Sequence, residues 1–490
     1  MVKDIHVVML PWSAFGHLMP FLELSIGLAK AGVHVSFVST PKNIQRLPKL
    51  PPDVSALINL VALPLPAVDR NLLPEDAEAT VDIPFEKIQY LKVAYDLLQQ
   101  PVKQFIAEQS PDWIVVDFSP HWAVEIAQEY GIPLINFYVF SAAATVFFGP
   151  PEYLTGDNRK RIRPSPESMT SPPEWVTFPS LVAYRNYEAI GFHPGLFGEN
   201  ASGITDAQRL AKLLDASQAV AVRSCKEFEE EYLNLLPKIM GKPVIPVGLL
   251  PPEKPEEREF TDGSWIKIFK WLEEQTPKSV VFVGFGSECK LNKDQIYEIA
   301  YGLELSELPF LWALRKPSWA IDDQDALPLG FSHRTSGKGV VHIGWAPQVE
   351  ILGHPSVGGS LFHSGWGSVI ETLQYGHCLV VLPFIVDQGL NARLLEEKGL
   401  ATEVPRSEGG AFNRDGIAKS LRQAMISEEE QPLRDRTREV AGIFSDRKLH
   451  DNYVDGPMCS FVEAYFLSNL LLELSLDGNG ISKLPLVLNH

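Results

Sequence analysis

Residues 357–395 read "VGGSLFHSGWGSVIETLQYGHCLVVLPFIVDQGLNARLL", and the order of apolar runs and turns in this stretch decides the fold. A short apolar run, Gly359 to Phe362, ends at a polar, glycine-bearing turn, His363 to Gly367, after which apolar residues recur at helical spacing. A second apolar run, Leu379 to Pro383, is followed by Asp387, and a second helix opens after Gln388. Strands separated by helices of this length predict parallel pairing through right-handed crossovers. The turns then lie at the carboxyl ends of the strands, the edge where open parallel sheets hold ligands.

Working outward, the same alternation fills the second half of the chain. Strand runs read at Val280 to Phe285, Phe310 to Arg315, Val340 to Ile343 and Ala401 to Val404, with a helix over Lys293 to Leu305. In the first half, Ile5 to Leu10, a helix over Met19 to Lys30 and His34 to Ser39 form one unit. Trp113 to Val116, a helix over His121 to Tyr130 and Pro133 to Tyr138 form another, followed by strands at Ala219 to Arg223 and Val244 to Val247. Between the halves, "GLLPPEKPEEREFTDG", residues 248–263, breaks every period and reads as a linker. The expected fold class is α/β: two doubly wound, Rossmann-like domains, 1–247 and 264–450, facing a cleft. Residues 156–175 are polar and proline-rich, the composition of a mobile loop.

Composition narrows the function. The 490 residues carry a net charge of −18 and no basic stretch, which excludes phosphate-backbone binding and anionic membrane surfaces. Any anionic ligand must be held by local devices. Four scattered cysteines, with no Cys-x-x-Cys pair, give neither a disulfide framework nor a zinc site. The run Ile5 to Leu10 is too short and wrongly flanked for a signal peptide, and Phe461 to Leu474 carries Glu463 and Glu473 and is too short to span a membrane. These readings point to a soluble, cytoplasmic protein, taken as a monomer.

The turn at His363 is one local device of the required kind. Glycines at a strand-to-helix turn let the backbone approach a ligand, and the helix start offers free N–H groups to phosphate, although such a turn can also be only a tight connection. In the first half, His17 follows the first strand in "PWSAFGHLMP", and Asp117 ends the run Trp113 to Val116. Histidine titrates near neutrality and can take a proton from a hydroxyl, and a neighbouring carboxylate can orient it; a core or capping histidine and a capping acid are the plainer alternatives. Asp323-Gln324-Asp325 spells a metal-binding triplet but lies in a polar loop, so it reads as solvated surface. A dinucleotide fingerprint would need a third glycine after Gly365-Trp366-Gly367, and a hydrolase elbow would need glycine where Phe362 precedes Ser364.

Trp345-Ala346-Pro347-Gln348, the turn at His363, Glu371 and Asp387-Gln388 together resemble the signature box of plant secondary-metabolite UDP-glycosyltransferases. "SPDWIVVDF", "PVGLLPP" and "VGFGSE" extend the resemblance along the chain, and residues 41–51, 74–84 and 245–252 are most similar to its subfamily ninety-one, whose members extend sugars on plant glycosides. The resemblance implies the two-domain fold termed GT-B and a UDP-sugar, UDP-glucose or UDP-rhamnose, as co-substrate, with no metal. It implies that Trp345 stacks on uracil while Ala346 and Gln348 read the base edge and ribose. Ser287, His363, Gly365 and Ser368 would hold the diphosphate, Glu371 the ribose hydroxyls, and Trp366, Asp387 and Gln388 the sugar. His17 and Asp117 fall where the family has its base and orienting acid, implying an inverting displacement at the anomeric carbon. The acceptor, a flavonoid, terpenoid or steroid glycoside, would meet aromatic residues of the first half: Trp12, Phe15, His121, Trp122, Phe140, Phe147 and Phe148. A nucleotide-sugar-binding protein without turnover and an enzyme acting on the bare aglycone are the alternatives.

Two positions depart from the family pattern: Gly367 stands where asparagine is usual, and Ser364 where cysteine is usual. After "LHDNYVDG" the chain inserts "PMCS" before resuming the helix that, by resemblance, returns to the first domain; residues 451–490 are read as this helix and tail.

Overall fold

Thirteen strands, all paired in parallel, form two sheets in the computed structural model, which describes residues 5–155, 163–253, 262–322 and 325–464. The first sheet holds β1 (His6–Leu10), β2 (His34–Ser39), β3 (Ile58–Ala62), β4 (Trp113–Val116), β5 (Leu134–Tyr138), β6 (Ala219–Val222) and β7 (Val244–Pro246), in the order β3-β2-β1-β4-β5-β6-β7. The second holds β8 (Val280–Gly284), β9 (Phe310–Leu314), β10 (Gly339–Ile343), β11 (Val357–Phe362), β12 (Cys378–Val381) and β13 (Ala401–Glu403), in the order β10-β9-β8-β11-β12-β13. Each order reverses direction once, between β1 and β4 and between β8 and β11. A crevice opens at such a point beyond the carboxyl ends of the strands.

Burial on both faces explains the near-continuous apolar runs. Val7 and Met9 pack with Leu24 and Leu28 on one face of the first sheet, while Val8 and Leu10 pack with Tyr95 and Ile106 on the other. This is the period-two alternation of a strand covered by helices on both sides. One further cluster runs across the two halves, from Tyr138, Phe147 and Leu214 to Phe362, Trp366 and Leu394. That shared core fixes how the two sheets face each other.

The structure corrects several readings of the sequence. The first helix is Phe15–Lys30, so His17 stands in its first turn and not in a loop before it. Pro20 suggests a later start; it lies inside the helix, where its missing N–H costs one helical hydrogen bond, and the buried Leu18, Phe21 and Leu22 hold the helix on either side of it. Strand β3 went unread because its residues alternate poorly: it lies at the sheet edge and is partly exposed. Residues 163–175 do not form the expected mobile loop: Pro166–Met169 makes a helical turn, Met169 is buried, and the Arg163 guanidinium lies 3.9 Å from the Phe147 ring centroid. Residues 156–162 of that stretch, and 254–261 of the linker, lie outside the described residues. The linker's end is helical: Gly263–Glu273 starts there, with Asp262 accepting from the Ser264 amide at 2.8 Å.

At the chain's end, helix Arg447–Tyr453 passes through a wide turn, Val454–Met458, and continues to residue 464. A wide turn takes up extra residues without breaking the helix, which is how "PMCS" is accommodated. Val454, Met458, Cys459 and Val462 pack with Val7 and Leu28, and a Cβ on Gly27 would stand 3.2 Å from Val454. The tail from 465 lies outside the described residues. Among the described residues no helix is long and apolar enough to cross a membrane.

Candidate active site between the two sheets

The carboxyl ends of β1 and β4 lead to His17 and Asp117, and those of β8 and β11 lead to Ser287 and His363. Leu10 and Val116 are in register, as are Gly284 and Phe362, so each pair leaves its sheet side by side. Loops from the two halves meet over this edge: Phe15 lies 6.4 Å from Trp345 by ring centroids, and Arg315 Nη2 donates to the Val81 carbonyl at 2.8 Å.

His17 Nδ1 and Asp117 Oδ2 are 2.8 Å apart. Asp117 is buried, and both its oxygens are fixed: the Trp12 amide donates to Oδ2 at 2.9 Å and the Phe118 amide to Oδ1 at 2.7 Å. The imidazole is bounded by Phe118 and, edge to face at 5.7 Å, by Phe140. With Nδ1 engaged, Nε2 is the nitrogen left for a ligand. Burial opposes charging this ring, yet its pKa is raised, because the Asp117 charge and hydrogen bond, with Asp387 and Glu288 from the other half, together outweigh burial.

In the second half, the turn after β11 passes through Ser364 at φ 59°, a left-handed conformation uncommon outside glycine. Three contacts hold it there. Ser364 Oγ donates to the Gln388 carbonyl at 2.8 Å, Asn391 Nδ2 donates to the Ser364 carbonyl at 3.0 Å, and Ser141 of the first half donates to Asn391 Oδ1 at 2.9 Å. Helix Trp366–Leu373 then begins with Gly365 as its cap and no side chain on its first amides. Those amides, Gly367 and Ser368 included, are free to meet an anion.

His363 lies against two glycines, since a Cβ on Gly286 or Gly365 would come within 2.7 Å of its Nε2. Burial lowers its pKa to about 4, so at neutral pH it offers a ligand a neutral ring. Its buried Nδ1 has no hydrogen-bond partner among the described residues. Gln348 Nε2 donates to Glu371 Oε2 at 2.5 Å, and burial raises the pKa of that carboxyl. Burial likewise brings Asp387 up to about 6, while Asn391 Nδ2 donates to it at 2.7 Å. Ser287 follows β8, with its hydroxyl 3.5 Å from a Glu288 oxygen.

Several expected side-chain roles change on inspection. The Trp366 indole N–H donates to the Arg223 carbonyl at 2.8 Å and is buried, so only its backbone amide can face a sugar. Gln388 Oε1 accepts from the Phe384 and Ile385 amides at 2.9 and 3.0 Å, which leaves its NH2 group, beside Cys289 Sγ, as the part able to turn to a ligand. Phe147 lies wholly in the core under Arg163, and Trp122 packs in the core beside Tyr95; neither lines an open surface. His121 Nδ1 is engaged by Arg209, a buried guanidinium that also pairs with Asp96. Burial first, and then Arg209, lowers the His121 pKa. Phe140 stays at the histidine with Phe148 behind it, and Phe15 stays at the rim. Trp345 is 78% exposed, with an indole face open beside the cleft, and Ala346 packs below it against the second sheet's helices. Asn391 was missed, although its spacing four residues after Asp387 places both on one helix face. Asp322 and Asp325 bond to each other's backbone amides, while Asp323 and Gln324 lie outside the described residues. No group of three or more His, Cys, Asp or Glu among the described residues is arranged to hold a metal.

The chain is similar to known proteins over most of its length. Residues 266–429 match the family model described as "UDP-glucoronosyl and UDP-glucosyl transferase". UDP-glycosyltransferase 91A1 of Arabidopsis thaliana is 43% identical over 470 residues, 95% of this chain and 97% of that protein. Soyasaponin III rhamnosyltransferase of Glycine max is 41% identical over 456 residues, 92% of this chain and 94% of that protein. Among solved structures, Glycyrrhiza uralensis UGT73P12 complexed with glycyrrhetinic acid 3-O-monoglucuronide superposes with a TM-score of 0.74 at 23% identity, covering 96% of this chain and 98% of that one. Arabidopsis thaliana UGT89C1 complexed with UDP-L-rhamnose gives a TM-score of 0.70 at 24% identity, covering 94% and 99%. At those identities the structures show a shared fold.

Proposed function

The chain belongs to the UDP-glycosyltransferase family, beside plant members of its subfamily 91, and from that premise we propose that it adds a single sugar to a hydroxyl of a sugar already carried by a plant glycoside. It is an enzyme that transfers sugar from a UDP-sugar. The donor in this reading is UDP-glucose or UDP-rhamnose, and the acceptor is a terpenoid, steroid or flavonoid glycoside. Residues 1–247 bind the acceptor, 264–450 bind the UDP-sugar, 248–263 join them, and the helix ending at residue 464 returns to the first domain. The protein works as a cytoplasmic monomer.

The observation that carries the mechanism is the 2.8 Å contact between His17 and an Asp117 whose two oxygens are both pinned by backbone amides. His17 Nε2 takes the proton of the acceptor hydroxyl. The acceptor oxygen bonds to the anomeric carbon as the bond from that carbon to the β-phosphate oxygen breaks, and the electron pair leaves with UDP. Attack from the face opposite the leaving group inverts the configuration. Asp117 holds the ring in the tautomer with a free Nε2 and stabilises the imidazolium. The helix N-terminus at Gly365–Ser368, with Ser287 and the neutral His363, meets the charge that develops on the diphosphate. Trp345 stacks on the uracil, Gln348 and Glu371 hold the ribose, and Asp387, the Gln388 NH2 group and the Trp366 amide hold the sugar. Phe140 and Phe148 provide the apolar wall beside the base.

A matrix of UDP-glucose and UDP-rhamnose against glycosides and their aglycones, read by mass, tests this reading. A product heavier by one hexose or one deoxyhexose, formed on glycosides and lost in His17→Ala with UDP binding retained, is the expected result. Products on aglycones alone would replace the sugar-on-sugar reading, and full turnover by His17→Ala would remove the base.

A further inference from the structure

Arg223 follows β6 and turns its guanidinium into the seam between the two halves, where the residue is 5% exposed. Nε donates to the Leu249 carbonyl at 2.8 Å and Nη2 to the Leu250 carbonyl at 3.0 Å. Its own carbonyl accepts from the Trp366 indole, which ties its backbone to the first residue of helix Trp366–Leu373. The remaining group, Nη1, has no hydrogen-bond acceptor among the described residues. It stands 3.6 Å from the point that a Cβ on Gly367 would occupy.

The charge on this side chain is also incompletely matched. No carboxylate among the described residues forms an ion pair with it; Glu371 and Glu23 act on it only from farther away, and burial lowers its pKa to about 10. A buried cation without a paired anion is costly. Across the seam, the first amides of helix Trp366–Leu373 are uncapped by any side chain and carry the positive end of the helix dipole. Two groups that each favour an anion, one from either half, therefore converge at Gly367. The glycine leaves open the space between them.

We propose that Arg223 is a donor-binding residue supplied by the first half, its Nη1 reaching past Gly367 to an anionic oxygen of the nucleotide diphosphate. This rests on the reading that the second half holds the UDP-sugar. Arg223 then supplies a full positive charge where negative charge grows as the bond to the anomeric carbon breaks. It also makes diphosphate binding a contact between the two halves, since the anion is held by helix amides on one side and by Arg223 on the other.

Titration calorimetry of the full chain with UDP and with uridine separates this role from a structural one. Arg223→Gln should weaken UDP about tenfold or more, the weight of a charge-assisted hydrogen bond, and leave uridine affinity unchanged. Arg223→Lys, which keeps the charge and spares the fold if the glutamine variant fails to fold, should lose a smaller part of the same preference. UDP and uridine weakened equally, or UDP affinity unchanged in both variants, would overturn the assignment. A wild-type chain that binds neither ligand would overturn the donor reading itself, and this assignment with it.

Discussion

Replacing Asp117 by asparagine isolates the charge of the carboxylate from its shape. Asp117 accepts three hydrogen bonds, from the Trp12 amide and His17 on Oδ2 and from the Phe118 amide on Oδ1. An amide has one oxygen, so asparagine satisfies either the first two donors or the third. With its oxygen toward Trp12 and His17, the NH2 group faces the Phe118 N–H and a buried hydrogen bond is lost, at about 1–3 kcal/mol of stability. With the opposite orientation the NH2 group faces His17 Nδ1, and the ring must carry its proton on Nε2, where it cannot act as a base.

In both cases the imidazolium loses its nearest negative charge. The difference between a charge-assisted and a neutral hydrogen bond is about 1–1.5 kcal/mol, or about one pKa unit. Burial, no longer outweighed, then brings His17 down toward or below its reference value of 6.5. Because the base must be neutral, activity rises as pH increases through the His17 pKa. The acid limb of kcat/KM should therefore move to lower pH by about one unit, while kcat falls about a hundredfold or more with the loss of oriented base catalysis. The same pair couples stability to pH. With the folded pKa raised above 6.5, its contribution is complete below 6.5 and is lost as pH rises through the raised value. A pH profile of Asp117→Asn with full kcat and an unmoved acid limb would refute the pairing of Asp117 with a catalytic His17.

Three further changes probe the donor side and the seam. Trp345→Ala should leave the thermal midpoint nearly unchanged, because the indole is 78% exposed, but weaken UDP by about 1 kcal/mol or more; undiminished UDP affinity would remove the uracil-stacking role. Gly286→Ala places a methyl 2.7 Å from His363 Nε2 at φ 68°, so UDP affinity should fall with the protein still folded, and retained affinity would show that His363 does not hold the diphosphate. Arg393 bridges Glu188 of the first half and Glu403 of the second, all three nearly buried. Arg393→Met strands Glu188, while Glu403 keeps Arg185 at 2.8 Å, and should destabilise by about 3 kcal/mol in denaturant unfolding, whereas a loss under about 1 kcal/mol would mean that the seam is more hydrated than its packing implies.

The fold was legible because parallel strands buried on both faces carry long apolar runs and because glycine turns mark their carboxyl ends. The run Ile5 to Leu10 contains β1, and Leu379 to Pro383 overlaps β12 over Leu379, Val380 and Val381. Edge strand β3 was not legible, since half its side chains face water and the alternation fades. The resemblance of the donor motif could be read locally because Trp345, His363, Glu371 and Asp387 lie within one run of chain. What could not be read are contacts made across the fold. Arg209 turning His121 inward, Arg163 covering Phe147 and Arg223 accepting the Trp366 indole each join residues far apart in sequence. Polar composition suggested that 156–175 was mobile, but in its described part, 163–175, a buried methionine and a guanidinium over an aromatic ring tie the segment to the core.

An acidic chain that holds a diphosphate faces a repulsion that its composition alone does not resolve, with a net charge of −18. In the proposed site a helix N-terminus and a cation from the opposite half answer it. Burial raises the pKa of Glu371 and Asp387, the latter to about 6, and both carboxyls keep oxygens that can accept from hydroxyls. Burial keeps His363 neutral, so it offers hydrogen-bonding capacity without charge. A buried guanidinium, that of Arg223 on the opposite half, stands beside the helix N-terminus at Gly367. If Arg223 meets the diphosphate as proposed, the strength of that contact depends on how closely β6 and helix Trp366–Leu373 are held together, and the Trp366 indole bonded to the Arg223 carbonyl sets that spacing.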